Sequence, residues 1–245
     1  MYHFFVEQNQ ISETHITIIG SDVNHIKNVL RMKEGEEIMI SNPDGWDYYC
    51  TISQISNEQI EAKISFVEES GHELPSKIFL FQGLPKGDKM ELIIQKAVEL
   101  GVFEIIPVAT KRAVVKIDKK KEESKRKRWN AISESAAKQS KRSVIPNVHE
   151  VLTFKEALEY AKQLDVVLMP YEMAKEMSET KKVIKQIQRG QSIGIFIGPE
   201  GGFDETEICK AMEESFIPIT LGKRILRTET AAITAVSVIM FHLEQ

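Results

Sequence analysis

Over roughly the first third of the chain, apolar and polar residues alternate with a period of two. His15 to Ile19, Glu37 to Ser41, Tyr48 to Ser56 and Gln59 to Val67 read as β-strands. Asn42, Pro43, Asp44 and Gly45 between the second and third form a turn. One helix interrupts them, capped by Ser21 or Asp22, with Val23, Ile26, Val29 and Leu30 as its apolar face. Beyond Gly71 to Pro75 the period changes. Short apolar runs at Lys77–Gln82, Phe103–Val108, Asp165–Pro170 and Ile193–Ile197, and one ending at Leu221-Gly222, alternate with helical stretches. Those helices run from Asp88 to Gly101, Phe154 to Gln163, Ala174 to Gln188, from Asp204 onward, and Ala231 to Leu243. The expected architecture is a small β-barrel domain over 1–72 and an α/β domain over 73–245 with a mostly parallel sheet covered on both faces. Pattern alone makes that sheet doubly wound and unknotted.

Two glycine-containing loops stand at strand ends in the last quarter. Gly198, Pro199, Glu200, Gly201 and Gly202 lead into a helix whose Asp204 and Glu207 have capping-box spacing. The glycines allow a ligand to approach bare backbone. Pyrophosphate is disfavoured, because carboxylates already occupy the positive helix end and the spacing is not G-x-G-x-x-G. A neutral or cationic ligand fits better. In the second loop, Lys223 to Arg227 precede Thr228, Glu229 and Thr230, which open a last helix apolar nearly all round. Such a helix needs more cover than one small domain supplies, which predicts self-association. The earlier GLPKGDK segment lacks P-loop glycine spacing and the Lys-Ser or Lys-Thr pair, and Asp88 with Glu91 predicts another capping box.

Charge is distributed unevenly. Between Lys111 and Arg142 thirteen lysines and arginines face four acids, although the chain as a whole carries a net charge of -4. The rest of the chain therefore carries -13, and the basic segment with its Trp129 reads as a footprint for RNA. With 42% hydrophobic and 28% charged residues the chain is globular, and Cys50 and Cys209, far apart, suggest neither a disulfide framework nor a metal site. The opening MYHFFVEQNQ lacks the features of a signal peptide, and no apolar run is long enough for a membrane span, so a cytoplasmic location is expected.

GPEGGF together with LGKRILRTETA resembles the cofactor loops of the SPOUT superfamily of RNA methyltransferases. The branch that methylates N3 of a uridine in small-subunit (16S) ribosomal RNA also shows GLPKGDKMELIIQKAVELGV (Gly83 to Val102), ESAAKQSKR (Glu134 to Arg142) with Pro146 beyond it, and NHIKNVLRMKEGEEI. The resemblance covers nearly the whole chain. It implies a PUA-like N-terminal barrel, a SPOUT domain with a C-terminal trefoil knot, a homodimer, S-adenosyl-L-methionine as cofactor, and 16S ribosomal RNA or the small subunit as partner. Other readings are methylation of a transfer RNA base or a ribose 2'-hydroxyl, a non-catalytic RNA-binding assembly factor, and a nicotinamide-dependent oxidoreductase. The last is disfavoured by the acidic first loop and the missing fingerprint.

The resemblance further implies three cofactor loops, with Met169, Pro170, Tyr171 and Glu172 in the first and Ile197, Gly198, Pro199, Glu200, Gly201 and Gly202 in the second. The third holds Leu221, Gly222, Ile225, Leu226, Arg227, Thr230, Ala231 and Ala232. Backbone groups there surround an adenine, and a side chain added at Gly201 is expected to block the site. Methylation at uracil N3 needs a group to take the imide proton and another to bear the charge spreading to the carbonyl oxygens. Glu229 and Arg227 are the expected pair. The expected RNA contacts are His25, Arg31, Lys86, Arg112, Lys125, Arg126, Lys127, Arg128 and Arg142; where the family usually has an arginine near the first strand, this chain has His3.

Overall fold

The computed structural model describes residues 1–42, 45–69, 71–115, 119–171 and 176–244, with the backbone only at 119–120. The chain forms two compact units. One is Met1–Glu73 with Ala137–Ile145, and the other is Leu74–Ala136 with Pro146–Gln245. The return segment 137–145 had been expected with the C-terminal domain.

In the first unit, β1 (Tyr2–Phe5), β2 (His15–Ile19), α1 (Ser21–Asn24), β3 (Glu37–Ser41), β4 (Trp46–Ile55) and β5 (Gln59–Glu69) follow in order. The sheet runs β1-β3-β4-β5-β2, parallel at β1-β3 and antiparallel elsewhere. Alternate residues Ile16 and Ile18, Ile38 and Ile40, and Ile60 and Ala62 enter one core with Phe4, Val23 and Ile26, as period-two patterning requires. Each fully buried large apolar side chain contributes about 1.5–3 kcal/mol.

Strand β1, near which the resemblance places His3, was not read from the pattern, and one expectation fails here. The expected helix is a single turn, with Gly20 at φ 75° as its N-cap and no side-chain cap from Ser21 or Asp22. It passes into a π turn at His25–Val29, closed by the Leu30 N–H on the His25 carbonyl. The wider turn rotates the residues after it, so the buried face is Val23 and Ile26 while Val29 is 61% exposed. The expected Asn42–Gly45 turn lies partly outside the described residues, at 43–44; its flanks join through the Gly45 N–H on the Asn42 carbonyl, 3.2 Å.

The second unit contains β6 (Lys77–Gly83), α2 (Lys89–Glu99), β7 (Glu104–Ala109), α3 (Lys119–Ser140, whose last four residues belong to the first unit), β8 (Asn147–Val148), β9 (Leu152–Thr153), α4 (Phe154–Ala161), β10 (Val166–Pro170), α5 (Met177–Gln186), β11 (Ser192–Ile197), α6 (Glu205–Glu213), β12 (Ile217–Ile219) and α7 (Thr228–Leu243). The sheet is parallel, in the order β12-β10-β11-β6-β7-β8 with β9 beside β7. Phe79, Phe81, Val167, Met169 and Phe196 on one face pack with Phe154, Ala157 and Leu158 of α4 and Ile208 and Ala211 of α6. On the other face α7 packs against β11, β6, α2 and α5. Both faces are therefore covered, as the runs of apolar residues predicted.

The capping box at Asp204 and Glu207 forms, and Thr153 with Glu156 makes another that had not been anticipated. The one expected at Asp88 does not, because Glu91 is drawn 2.8 Å from Arg128 of α3 instead. Helix α5 begins at Met177; the start expected at Ala174 lies outside the described residues. Nor is α7 buried all round. Thr228, Ala232, Ala235, Val236, Ile239 and Leu243 form one buried stripe, and Val238 and Phe241 stay exposed.

Candidate active site

Because β6, β10, β11 and β12 are parallel, the segments after them gather at one edge of the sheet, where ligands of open α/β sheets bind. Strand β6 meets β11 with Gln82 opposite Ile197. Its last residue, Gly83, is a glycine for want of space: a Cβ there would lie 2.6 Å from Pro199 Cδ and 2.8 Å from Pro199 N. The turn after β11 thus rests directly on the end of β6.

Two polar ties then fix α7 and α2 to this turn. Gln82, fully buried, donates its amide N–H to Thr228 Oγ1 at 2.9 Å, and Thr228 donates to the Gly198 carbonyl at 2.6 Å. Gln82 Oε1 is left buried with no hydrogen-bond donor. The second tie is ionic. Lys89 Nζ lies 2.8 Å from Glu200 Oε1 and 3.5 Å from Glu229 Oε2, and the Lys86 N–H also reaches Glu200 at 3.2 Å. Burial works against ionisation of Glu200, but the bonds from Lys89 and the backbone outweigh it and hold that carboxyl below its ordinary value. Hydrogen bonding to Glu200 first, with the Glu229 charge adding, holds the Lys89 ammonium above its own. Lys89 is therefore a permanent cation, unable to act as a base. Glu229 Oε2 is buried and takes no hydrogen bond from the described residues; buried polar atoms are normally satisfied, which singles this oxygen out.

The expected cofactor residues reach this edge by their backbone. Met169 and Ile197 bury their side chains; Pro170 ends β10 and Tyr171 follows it, its N–H on the Ile219 carbonyl at 3.0 Å. Gly202 at φ 65° has nothing within 4 Å of a notional Cβ, and Gly222 at φ 118° has only Met177 Cε at 3.9 Å, so both leave bare backbone facing open space. Gly201 is different. A Cβ there would meet Arg112 Cβ at 3.2 Å, so bulk at this position presses on the segment after β7. Ile225 is 92% exposed, Leu221, Leu226 and Ala231 are partly covered, Thr230 is exposed and Ala232 is buried. Glu172 lies outside the described residues. Arg227 is the N-cap residue of α7; its carbonyl accepts from the Ala231 N–H at 2.8 Å, and its side chain is exposed, with no hydrogen bond or ion pair to another described residue.

Among the expected RNA contacts, His25 and Arg31 are exposed in the first unit. Lys86, Arg112, Lys125, Arg126, Lys127 and Arg128 are exposed in the second. Arg112 donates to the Gly201 carbonyl at 3.3 Å. Arg142 is not a surface cation: it is 3% exposed and its guanidinium is clamped on Glu73. Trp129 is likewise buried, under Lys125 at 5.8 Å. His3, in the place of the family's arginine, is buried on Ser41 Oγ at 2.7 Å.

Gln82, Lys89 and Thr228 were not foreseen as site residues. The available signal was their position: each closes or opens an element at the strand ends. Among the described residues no cluster of His, Cys, Asp and Glu could hold a metal ion, and no helix is long and apolar enough to cross a membrane.

Comparison with known proteins agrees with this geometry. The RNA methyltransferase domain family matches residues 72–240, and the RNA methyltransferase PUA domain family matches 18–65. The chain is 38% identical over 250 aligned positions to ribosomal RNA small subunit methyltransferase E of Bacillus subtilis, covering 100% of this chain and 98% of that one. The protein of the same name from Mesomycoplasma hyopneumoniae is 37% identical, covering 95% and 96%. Among solved structures, ribosomal RNA small subunit methyltransferase E from Neisseria gonorrhoeae bound to S-adenosyl methionine superposes with a TM-score of 0.85 at 31% identity, covering 98% of this chain and 97% of that one. With a PUA domain followed by a parallel α/β domain and full-length relatives of this identity, the chain belongs to the SPOUT-type RNA methyltransferase family.

Proposed function

We propose that this protein transfers a methyl group from S-adenosyl-L-methionine to N3 of a specific uridine in 16S ribosomal RNA of the small subunit, acting in the cytoplasm as a homodimer. The observation that carries the chemistry is the buried Glu229 oxygen, which takes no hydrogen bond at the edge where the three loops meet.

When bound, S-adenosyl-L-methionine supplies a methyl group already activated on a positively charged sulfur. The bare backbone at Gly202 and Gly222 and the orphaned Gln82 Oε1 suit a ligand that offers N–H groups. The segments that would hold it are 169–171, 197–202 and 221–232. Glu229 takes the imide proton of the uridine through Oε2, and the exposed Arg227 guanidinium stabilises the charge that spreads to the uracil carbonyl oxygens. Exposed Lys125, Arg126, Lys127 and Arg128 supply phosphate contacts.

The exposed Val238 and Phe241 of α7, with Leu92 of α2, support self-association, which sedimentation at micromolar concentration checks. The return of α7 from edge strand β12 onto β11 and β6 supports the trefoil knot.

The test is methyl transfer from the labelled cofactor to unmodified 16S ribosomal RNA and to small subunits, followed by nuclease digestion and nucleoside mass analysis. The expected product is 3-methyluridine. A 2'-O-methylated product or labelled transfer RNA would assign a different substrate, and no transfer to any RNA would leave an RNA-binding protein without catalysis.

A further inference from the structure

We propose that Lys89 is the positioning residue for the base, bridging Glu200 of the glycine loop and Glu229 of α7 so that the open Glu229 oxygen stands in a fixed place. This rests on the reading of Glu229 as proton acceptor. The geometry is asymmetric. Lys89 is hydrogen-bonded to Glu200 at 2.8 Å, whereas its 3.5 Å approach to Glu229 Oε2 makes an ion pair without a hydrogen bond. The strong contact anchors the lysine, and the weak one restrains the carboxylate by charge while leaving its lone pairs open.

The arrangement also suits the change in charge. Before proton transfer one cation faces two carboxylates. When the proton leaves the uridine N3 and ends on Glu229, that side chain becomes neutral and the Lys89 charge is matched by Glu200 alone. The negative charge moves from the carboxylate to the uracil, where Arg227 meets it, and the Lys89–Glu200 pair stays matched throughout. Lys89 stands at the first position of α2 and the Lys86 N–H holds the same Glu200 carboxylate, so the segment after β6 arrives already fixed to the glycine loop.

The experiment is a double-mutant cycle of Lys89→Met and Glu229→Gln, with Lys89→Arg alongside. Single-turnover rates are measured at saturating cofactor and RNA, and cofactor affinity by calorimetry. Lys89→Met should slow methyl transfer about 10- to 100-fold and leave the cofactor Kd within about threefold. Lys89→Arg should recover most of the rate, and the double variant should be no slower than Glu229→Gln alone, because both changes disable one device. Additive losses, or a loss of cofactor affinity that accounts for the slower rate, overturn the proposal and leave Lys89 a structural tie of the glycine loop. A Glu229→Gln variant with undiminished rate is a separate outcome, which removes the base and with it the role of Lys89.

Discussion

Two groups of buried or half-buried carboxylates in this molecule are built in opposite ways. In the first unit, Asp47 is 1% exposed and accepts from Ser41 Oγ and from Ser143 Oγ at 3.1 and 3.3 Å. Glu73 beside it accepts from Arg142, from the Ser143 N–H at 3.1 Å and from the Val144 N–H at 3.3 Å. At the loop edge of the second unit, Glu229 has a buried oxygen without any hydrogen bond and a single cation at a distance. A carboxylate saturated with donors is held in place, its lone pairs occupied. One with an open oxygen keeps its lone pairs for something else. The first group staples the return segment 137–145 into its unit, and the second leaves an oxygen open, as the proposed proton transfer requires.

The largest effect that tests this contrast is kinetic. Glu229→Gln keeps the shape of the side chain and removes its ability to take a proton, so the single-turnover rate should fall by about 10² to 10⁴ while the melting temperature stays near that of the parent. Arg227→Ala should also slow transfer at saturating RNA. If raising the RNA concentration restores the Arg227→Ala rate, the arginine binds substrate and bears no charge in the reaction.

The saturated group should respond in stability and not in rate. Glu73→Ala removes the carboxylate that clamps a buried guanidinium and two backbone N–H groups, at a cost of about 2–3 kcal/mol. Urea denaturation measures it. Methyl transfer per folded molecule should be unchanged, and a rate loss as large as that of Glu229→Gln would erase the distinction between the two groups.

The smallest expected effect is a pH dependence of stability centred on His3. Burial, opposed by the Asp47 charge, pushes its pKa from 6.5 down to about 4. Between those values the unfolded chain binds a proton that the folded one refuses, so stability is fully present above pH 6.5 and is lost as pH falls toward 4. His3→Asn should flatten that part of the curve, and an unchanged acid limb would show that another group is responsible.

What was legible in the sequence follows from how far apart the interacting residues lie. The parallel sheet and the capping box of Asp204 with Glu207 depend on local period and a spacing of three residues, and both formed. The box expected at Asp88 failed because Glu91 found Arg128, a partner 37 residues away. Arg142 was taken for a surface cation because Glu73, 69 residues upstream, cannot be seen from its neighbourhood. The missed site residues follow the same rule: Gln82 meets Thr228 across 146 residues and Lys89 meets Glu200 across 111. Spacing reports what a helix turn or strand pleat brings together. Partners supplied by sheet order have no local trace.

The sheet order has one more result, in how this protein behaves when crowded. The two edges of the parallel sheet are its shortest members in that order: β12 with three residues, the middle one Pro218, and β8 with two, directly after Pro146. Proline lacks the N–H that an incoming strand needs, and two or three residues give a foreign chain too little to zip onto. The ends of this sheet therefore offer a foreign strand little to pair with.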